Sequence, residues 1–420
     1  MEIKRKDMGN GVEFIHLKSE RFKTNILSCC FLVPVRKETL GADGLLPTVL
    51  RRGSKKYPDR RAIGEALDLL YGVELGANCR RKAEYLCIGM SADCIDDRFA
   101  PGGEKLLEPV AAMMGELLFR PLLENGAFSS EYVAQEKENM VNEVRARMND
   151  KRQWADYRLL RELCSGEPYG VFIEEEDVKA ITPESLYARY RDILSTAPVK
   201  VIYCGSADFA RAEAATQTML RDLPRYTVFT LPPILPHTLR PTVQTVRETM
   251  RVEQGKLAMG FSAEGEDTTA LMLANLMFGG TSNARLFLNV REKLSLCYYV
   301  STLFHQAKRV ITLSGGIATK DYDRTCEEIM RQLRFVQEGK IEPWEFAAAK
   351  SAARGSLRSA EDDLERMESY LLGEAALGTY RTLAERLERS ENTELDAVVA
   401  AANAIKLDTV YFLAGKEAVK

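Results

Sequence analysis

The chain has 420 residues, 45% of them apolar and 28% charged, with a formal net charge of −3. That length calls for two or three domains, and the near-neutral charge argues against a dedicated nucleic-acid binder. No apolar run reaches the roughly 18 residues of a membrane helix, and the opening MEIKRKDMGNGVEF is charged and enters a strand pattern directly. Neither a signal peptide nor membrane insertion is predicted, and a cytoplasmic location is expected.

Strands are predicted over GVEFIHLKSE and TNILSCCFLVPV, which are β-branched and apolar with partial alternation. The next stretch, GADGLLPTVLRRGSKKYP at 41–58, reads as a short apolar helix and a basic turn, and RRAIGEALDLLYG follows with helical spacing. VELGANCRRKAEYLCIGMSAD reads as two strands and EKLLEPVAAMMGELLF as a helix. A long helical region is predicted from about Ser129 to Leu163, broken near Asn149–Asp150. The strand VKVIYCGSAD and the helix FARAEAATQTMLRDL complete the first half.

Residues 224–241 carry five prolines, almost no charge and no helical period, and are predicted to be an extended linker. The second half repeats the plan: strands at TVQTVRETM and KLAMGFSAE, a helix at TTALMLANLMFGG, strands at LCYYVSTLF and RVITLSGGIAT, helices from Tyr322 to about Ala404, and the strand TVYFLAG. The expected architecture is α+β, two similar domains in tandem over 1–223 and 242–420, joined by 224–241.

Residues able to do chemistry are sparse. The histidines His16, His237 and His305 show no helical i, i+4 spacing, so a metal site built from them would need tertiary coincidence. The nine cysteines include no CxxC pair and sit mostly in apolar stretches, as buried free thiols do. Glu136 and Glu143 lie seven residues apart, two helical turns, and so share a helix face. That face is either a solvated one or a pair of carboxylates for a metal or proton relay. In GGTSNARLFLNVREKLSLCYYV, a Gly-Gly turn opens a helix carrying Arg285 and Arg291, and a strand holds Tyr298 and Tyr299. Arginine and tyrosine together can bind a carbonyl or an anion, or be a surface arginine and a core tyrosine.

Together these features resemble the insulinase/pitrilysin family of zinc metallopeptidases over nearly the whole chain. The family's first domain carries His-x-x-Glu-His on a helix, two histidines holding zinc and the glutamate taking a proton from zinc-bound water. Counting back from Gly53–Ser54, those positions fall on Gly44, Pro47 and Thr48, which can do neither job. Pro47, lacking a backbone donor, sits best near a helix start. EKENMVNEVRARM resembles the helix that brings the third zinc ligand, here Glu143, with Glu136 at the accompanying position. LGANCRRKAEYL is similar to the family's edge strand, where Asn78 is the matching residue and substrate pairs by β-addition. REKLSLCY matches the arginine and tyrosine of the second domain, at Arg291 and Tyr298.

The resemblance implies a non-catalytic member, without a cofactor of its own, zinc being expected only in a partner. It implies pairing with a zinc-bearing homologue in peptide cleavage or maturation, Arg291 and Tyr298 acting in trans on the substrate carbonyl. The other reading is a structural or peptide-binding scaffold, a homodimer without peptidase activity.

Overall fold

Asn10 and Gly11, with φ of 51° and 73°, close a two-residue hairpin between β1 (Glu2–Gly9) and β2 (Val12–Lys18). That turn needs left-handed backbone at both positions, which Asn-Gly adopts at low cost. The structure, a computed structural model, describes residues 2–265 and 267–415. The hairpin opens a six-stranded sheet with β3 (Thr24–Pro34), β4 (Glu74–Lys82), β5 (Tyr85–Ile95) and β8 (Val199–Gly205), in the order β1-β2-β8-β3-β5-β4. All neighbours are antiparallel except β2 and β8. β6 (Leu123–Glu124) and β7 (Ala127–Phe128) form a separate small ladder.

The second sheet holds β9 (Gln244–Met250), β10 (Gly255–Ala263), β11 (Cys297–His305), β12 (Val310–Ile317) and β13 (Ile405–Gly415), ordered β11-β12-β10-β13-β9. Here only β13 and β9 run parallel. β2-β8-β3-β5-β4 and β9-β13-β10-β12-β11 are one topology used twice, so the repeat of elements is a repeat of fold. β4 and β11 are its equivalent edges.

Two units emerge, and each recruits a helix from outside its main stretch of chain. The first comprises 1–145, 172–233 and 360–380; the second comprises 146–171, 234–359 and 381–420. The first contains α1 (Lys37–Leu50), α2 (Arg60–Asp68), α3 (Leu107–Phe119) and nearly all of α4 (Ser130–Ala146), then α6 (Glu175–Lys179), α7 (Pro183–Thr196), α8 (Phe209–Met219) and α12 (Leu364–Leu377). The second contains α5 (Lys151–Leu163), α9 (Thr268–Asn275), α10 (Tyr322–Gln337), nearly all of α11 (Pro343–Glu361), α13 (Leu383–Asn392) and α14 (Leu395–Asn403).

Asp150 breaks the long helical region where expected. It leaves helical geometry and accepts the Arg152 and Gln153 amides at 2.9 and 3.1 Å, capping α5. α5 then buries Ala155 and Leu159 against Ala258, Tyr411 and Leu413 of the second sheet. In the first unit α12 docks through Glu368, which is buried and accepts the Ser28 hydroxyl at 2.6 Å and Arg80 Nη2 at 2.7 Å. A single cut through 224–241 therefore does not delimit the units.

That Pro-rich stretch has no regular structure, and it is anchored rather than loose. Arg225 donates to the Leu194 and Ala197 carbonyls at 3.0 and 2.8 Å, and the His237 amide donates to the Lys308 carbonyl at 2.8 Å. The core of the second unit gathers Met259, Phe261, Phe278, Ile311, Leu313 and Phe412. Phe261 and Phe278 meet edge-on, 5.9 Å between ring centres.

Candidate functional site

α1 runs through the whole apolar stretch, with Pro47 inside it rather than near its start. The expectation for Pro47 is corrected. A proline there removes the bond to the Asp43 carbonyl one turn back, a cost on the order of 3 kcal/mol. The surroundings offset it: Leu45, Leu46, Val49 and Leu50 are all buried, each worth about 1.5–3 kcal/mol. Gly44 and Thr48 stand one turn apart, as two metal-binding histidines would.

The space before Gly44 is filled. A Cβ placed on it would lie 2.9 Å from Ile173 Cδ1 and 3.3 Å from Met140 Cε. One turn earlier, a Cβ on Gly41 would meet the Asp177 carbonyl at 3.0 Å. The segment entering α6 thus packs directly on α1. The Thr48 hydroxyl donates to the Leu45 carbonyl at 2.8 Å, inside its own helix.

Glu136 and Glu143 have parted company. Glu136 is buried and pairs with Arg52 of the basic turn after α1, with Arg60 Nη2 at 3.3 Å. Glu143 is exposed. The basic turn, with no evident task in the sequence, holds a carboxylate. Asp43 carries a second buried ion pair that the sequence reading did not single out: Arg189 donates to it at 2.7 and 3.2 Å and Thr39 at 2.8 Å. Burial pushes its carboxyl up despite these donors. The missed signal was an aspartate in the middle of an apolar helix, which demands a partner.

Asn78 lies on edge strand β4, whose ladder partner among the described residues is β5. Its amide donates to the Ser91 hydroxyl at 2.8 Å, and it lines a cavity of about 390 Å³ with Gly76, Arg80, Asp93 and Glu365. The outer edge of β4 leaves backbone groups available for an added strand.

The second-domain motif divides in two. Arg285 is buried, donating to Glu345 at 2.7 Å and to the Lys340 carbonyl. Tyr299 lies under Arg152, 4.6 Å from its ring centre. These two are packing residues. Arg291 sits near the end of a π-helical segment, Leu286–Lys293, its side chain 40% exposed above the Phe287 ring. Tyr298 is the extra residue of a β-bulge: Cys297 pairs with Ile317 and Tyr299 with Gly316, leaving Tyr298 out of the ladder and 60% exposed. Wide helical turns and bulges re-aim side chains and recur at functional sites. Buried Val290 and Leu296 fix the turn between the two residues, Leu296 donating its amide to the Val290 carbonyl at 2.9 Å.

The family described as "Peptidase M16 inactive domain" matches residues 180–353. The chain is 30% identical to the "Probable inactive metalloprotease YmfF" of Bacillus subtilis (strain 168), over 99% of this chain and 98% of that one. The chain belongs to the M16, or insulinase, family. Within that family it stands with the inactive members. A conserved protein from Enterococcus faecalis V583 has the same fold, with a TM-score of 0.89 at 24% identity over 99% of each chain. So does the peptidase M16 inactive domain from Pseudomonas fluorescens, with a TM-score of 0.81 at 18% identity over the whole of both chains.

The family's zinc does not fit the motif position here. Gly44, Pro47 and Thr48 present neither imidazole nor carboxylate, and the space beside Gly44 is occupied by Ile173 and Met140, which leaves the exposed Glu143 without partner ligands on α1. None of the described helices is long and apolar enough to cross a membrane.

Proposed function

We propose that the chain is the non-catalytic subunit of an M16 peptidase, pairing with a zinc-bearing homologue and contributing Arg291 and Tyr298 to peptide cleavage or maturation. One contrast carries the reading: the metal position of α1 is filled, while the arginine and tyrosine of the second unit are turned outward. A hydroxyl and a guanidinium can stabilise the oxyanion that forms when a metal-bound hydroxide attacks a peptide carbonyl, a role worth about 10²–10³ in kcat per donor. Asn78 and the β4 edge would hold extended peptide, and the chain would carry no catalytic metal of its own. Free thiols at all nine cysteines support a cytoplasmic setting.

The test is co-expression with a zinc-bearing M16 homologue from the same genome. The reading expects a co-purifying pair with peptidase turnover that neither chain shows alone. Full turnover by the zinc-bearing chain alone would overturn it. A second reading, a peptide-binding scaffold that self-associates, draws on the open β4 edge. Sedimentation of the isolated chain separates the two, a stable homodimer without affinity for the homologue favouring the scaffold.

A further inference from the structure

Away from the degenerate motif, the second unit gathers three ligand types in one place. Cys164 follows α5, Glu167 comes in the next turn, and His237 arrives from the Pro-rich stretch. A thiol sulfur, a carboxylate oxygen and a ring nitrogen from these residues all lie within 4.8 Å of one another. Cys164 and His237 are buried and Glu167 is partly so. The Glu167 amide donates to the Cys164 carbonyl at 3.0 Å, which fixes the turn that brings their side chains together.

The histidine is oriented. Its Nε2 lies 3.3 Å from Asp408 Oδ2, and Asp408 is itself the extra residue of a bulge, since Gly260 pairs with Thr409 and Phe261 with Leu407. A carboxylate on one ring nitrogen keeps a proton there and leaves the other nitrogen its lone pair, the support commonly found behind metal-binding histidines. That other nitrogen, Nδ1, faces Glu167 Oε1 at 2.5 Å. At that distance a proton lies between the nitrogen and the carboxylate oxygen, and a metal ion taking its place needs the two atoms to move apart. The other carboxylate oxygen, Oε2, is buried 2.6 Å from Lys308 Nζ, which leaves Oε1 as the oxygen nearest the histidine.

We propose that Cys164, Glu167 and His237 form a binding site for a thiophilic divalent cation of the zinc type, with Asp408 as a positioning residue. Thiolate, imidazole and one carboxylate suit zinc far better than magnesium or calcium. On binding, the ion replaces the thiol proton and the proton between His237 and Glu167, so two protons leave to solvent. Oε1 and Nδ1 separate to about 3.3 Å, the spacing of tetrahedral ligands at about 2.0–2.1 Å from the ion. The site would pin the Pro-rich stretch to the end of α5, independently of catalysis.

Cobalt(II) titration of the full chain, stripped with chelator, tests this. The expected result is one equivalent bound with a thiolate-to-cobalt charge-transfer band, displaced by zinc. C164S should lose the band, and D408N should bind about 10–100-fold more weakly. Near-ultraviolet circular dichroism checks that the variants fold, and H237Q gives a second loss-of-binding reading if C164S does not. No thiolate band in the folded protein, or a band unchanged in C164S or H237Q, would overturn the proposal.

Discussion

At the residue scale, the most telling position is Gly44, because its missing side chain has become part of the packing. Restoring the family residue should be harmful. G44H would drive a ring toward Ile173 and Met140, and overpacking of this kind costs about 1–3 kcal/mol. Urea denaturation should show that loss, and I173A should relieve part of it, giving a non-additive double mutant. Equal, additive losses would mean that the two side chains do not compete for the same space. His305 allows a test by pH. Tyr169 and Thr312 lie 2.8 and 2.9 Å from its ring nitrogens, and burial holds its pKa down at about 4. Above about pH 6.5 the imidazole is neutral in folded and unfolded chains alike, so its contribution is complete. Below that, the unfolded chain takes up a proton that the folded site refuses until about pH 4. Stability then falls by up to about 1.4 kcal/mol per pH unit. H305Q should show a shallower fall between pH 6.5 and 4; an identical slope would show that His305 titrates normally.

At the element scale, the two units are completed by helices from elsewhere in the chain, and α12 is the more exposed to test. Its Glu368 is buried against Arg80 and Ser28 of the first sheet, and Lys82 donates to the Ser369 carbonyl and hydroxyl at 2.8 Å. Removing one partner of a buried ion pair leaves the other uncompensated, at about 3–5 kcal/mol. E368A should approach that loss in chemical denaturation, lessened because Arg80 retains some exposure to water. A change under about 0.5 kcal/mol would mean that the network does not hold α12 in place.

The same scale shows what the sequence made legible. The break at Asp150, the main sheet strands and the doubled order of elements follow local patterns of apolar spacing and capping, so they could be read directly. β1 was missed because it is charged on both faces, although Asn10-Gly11 announced its hairpin. α6 and α7 were missed although Thr182, Pro183 and Ser185 form a capping box with a proline at the first turn. The docking of α5 and α12 has no local signature, because it depends on contacts such as Ser28 with Glu368, 340 residues apart. The site was legible in part. The Arg291–Tyr298 spacing could be read, but the bulge that expels Tyr298, the burial of Arg285 and the contact of Tyr299 with Arg152 come from tertiary packing.

At the scale of the whole molecule, one fold is used twice with different side chains at its motif positions. In the first unit, Ile173 and Met140 crowd the α1 position of Gly44, and arginines hold Asp43 and Glu136. The second presents an arginine and a tyrosine from a wide helical turn and a bulge. Duplicated topology permits this, since either unit can lose its chemistry while its core preserves the scaffold. The most direct test is peptidase kcat/KM of the co-purified pair carrying Y298F or R291A in this chain. The account predicts a loss of about 10²-fold in kcat with the complex intact; unchanged turnover in an intact complex would contradict it.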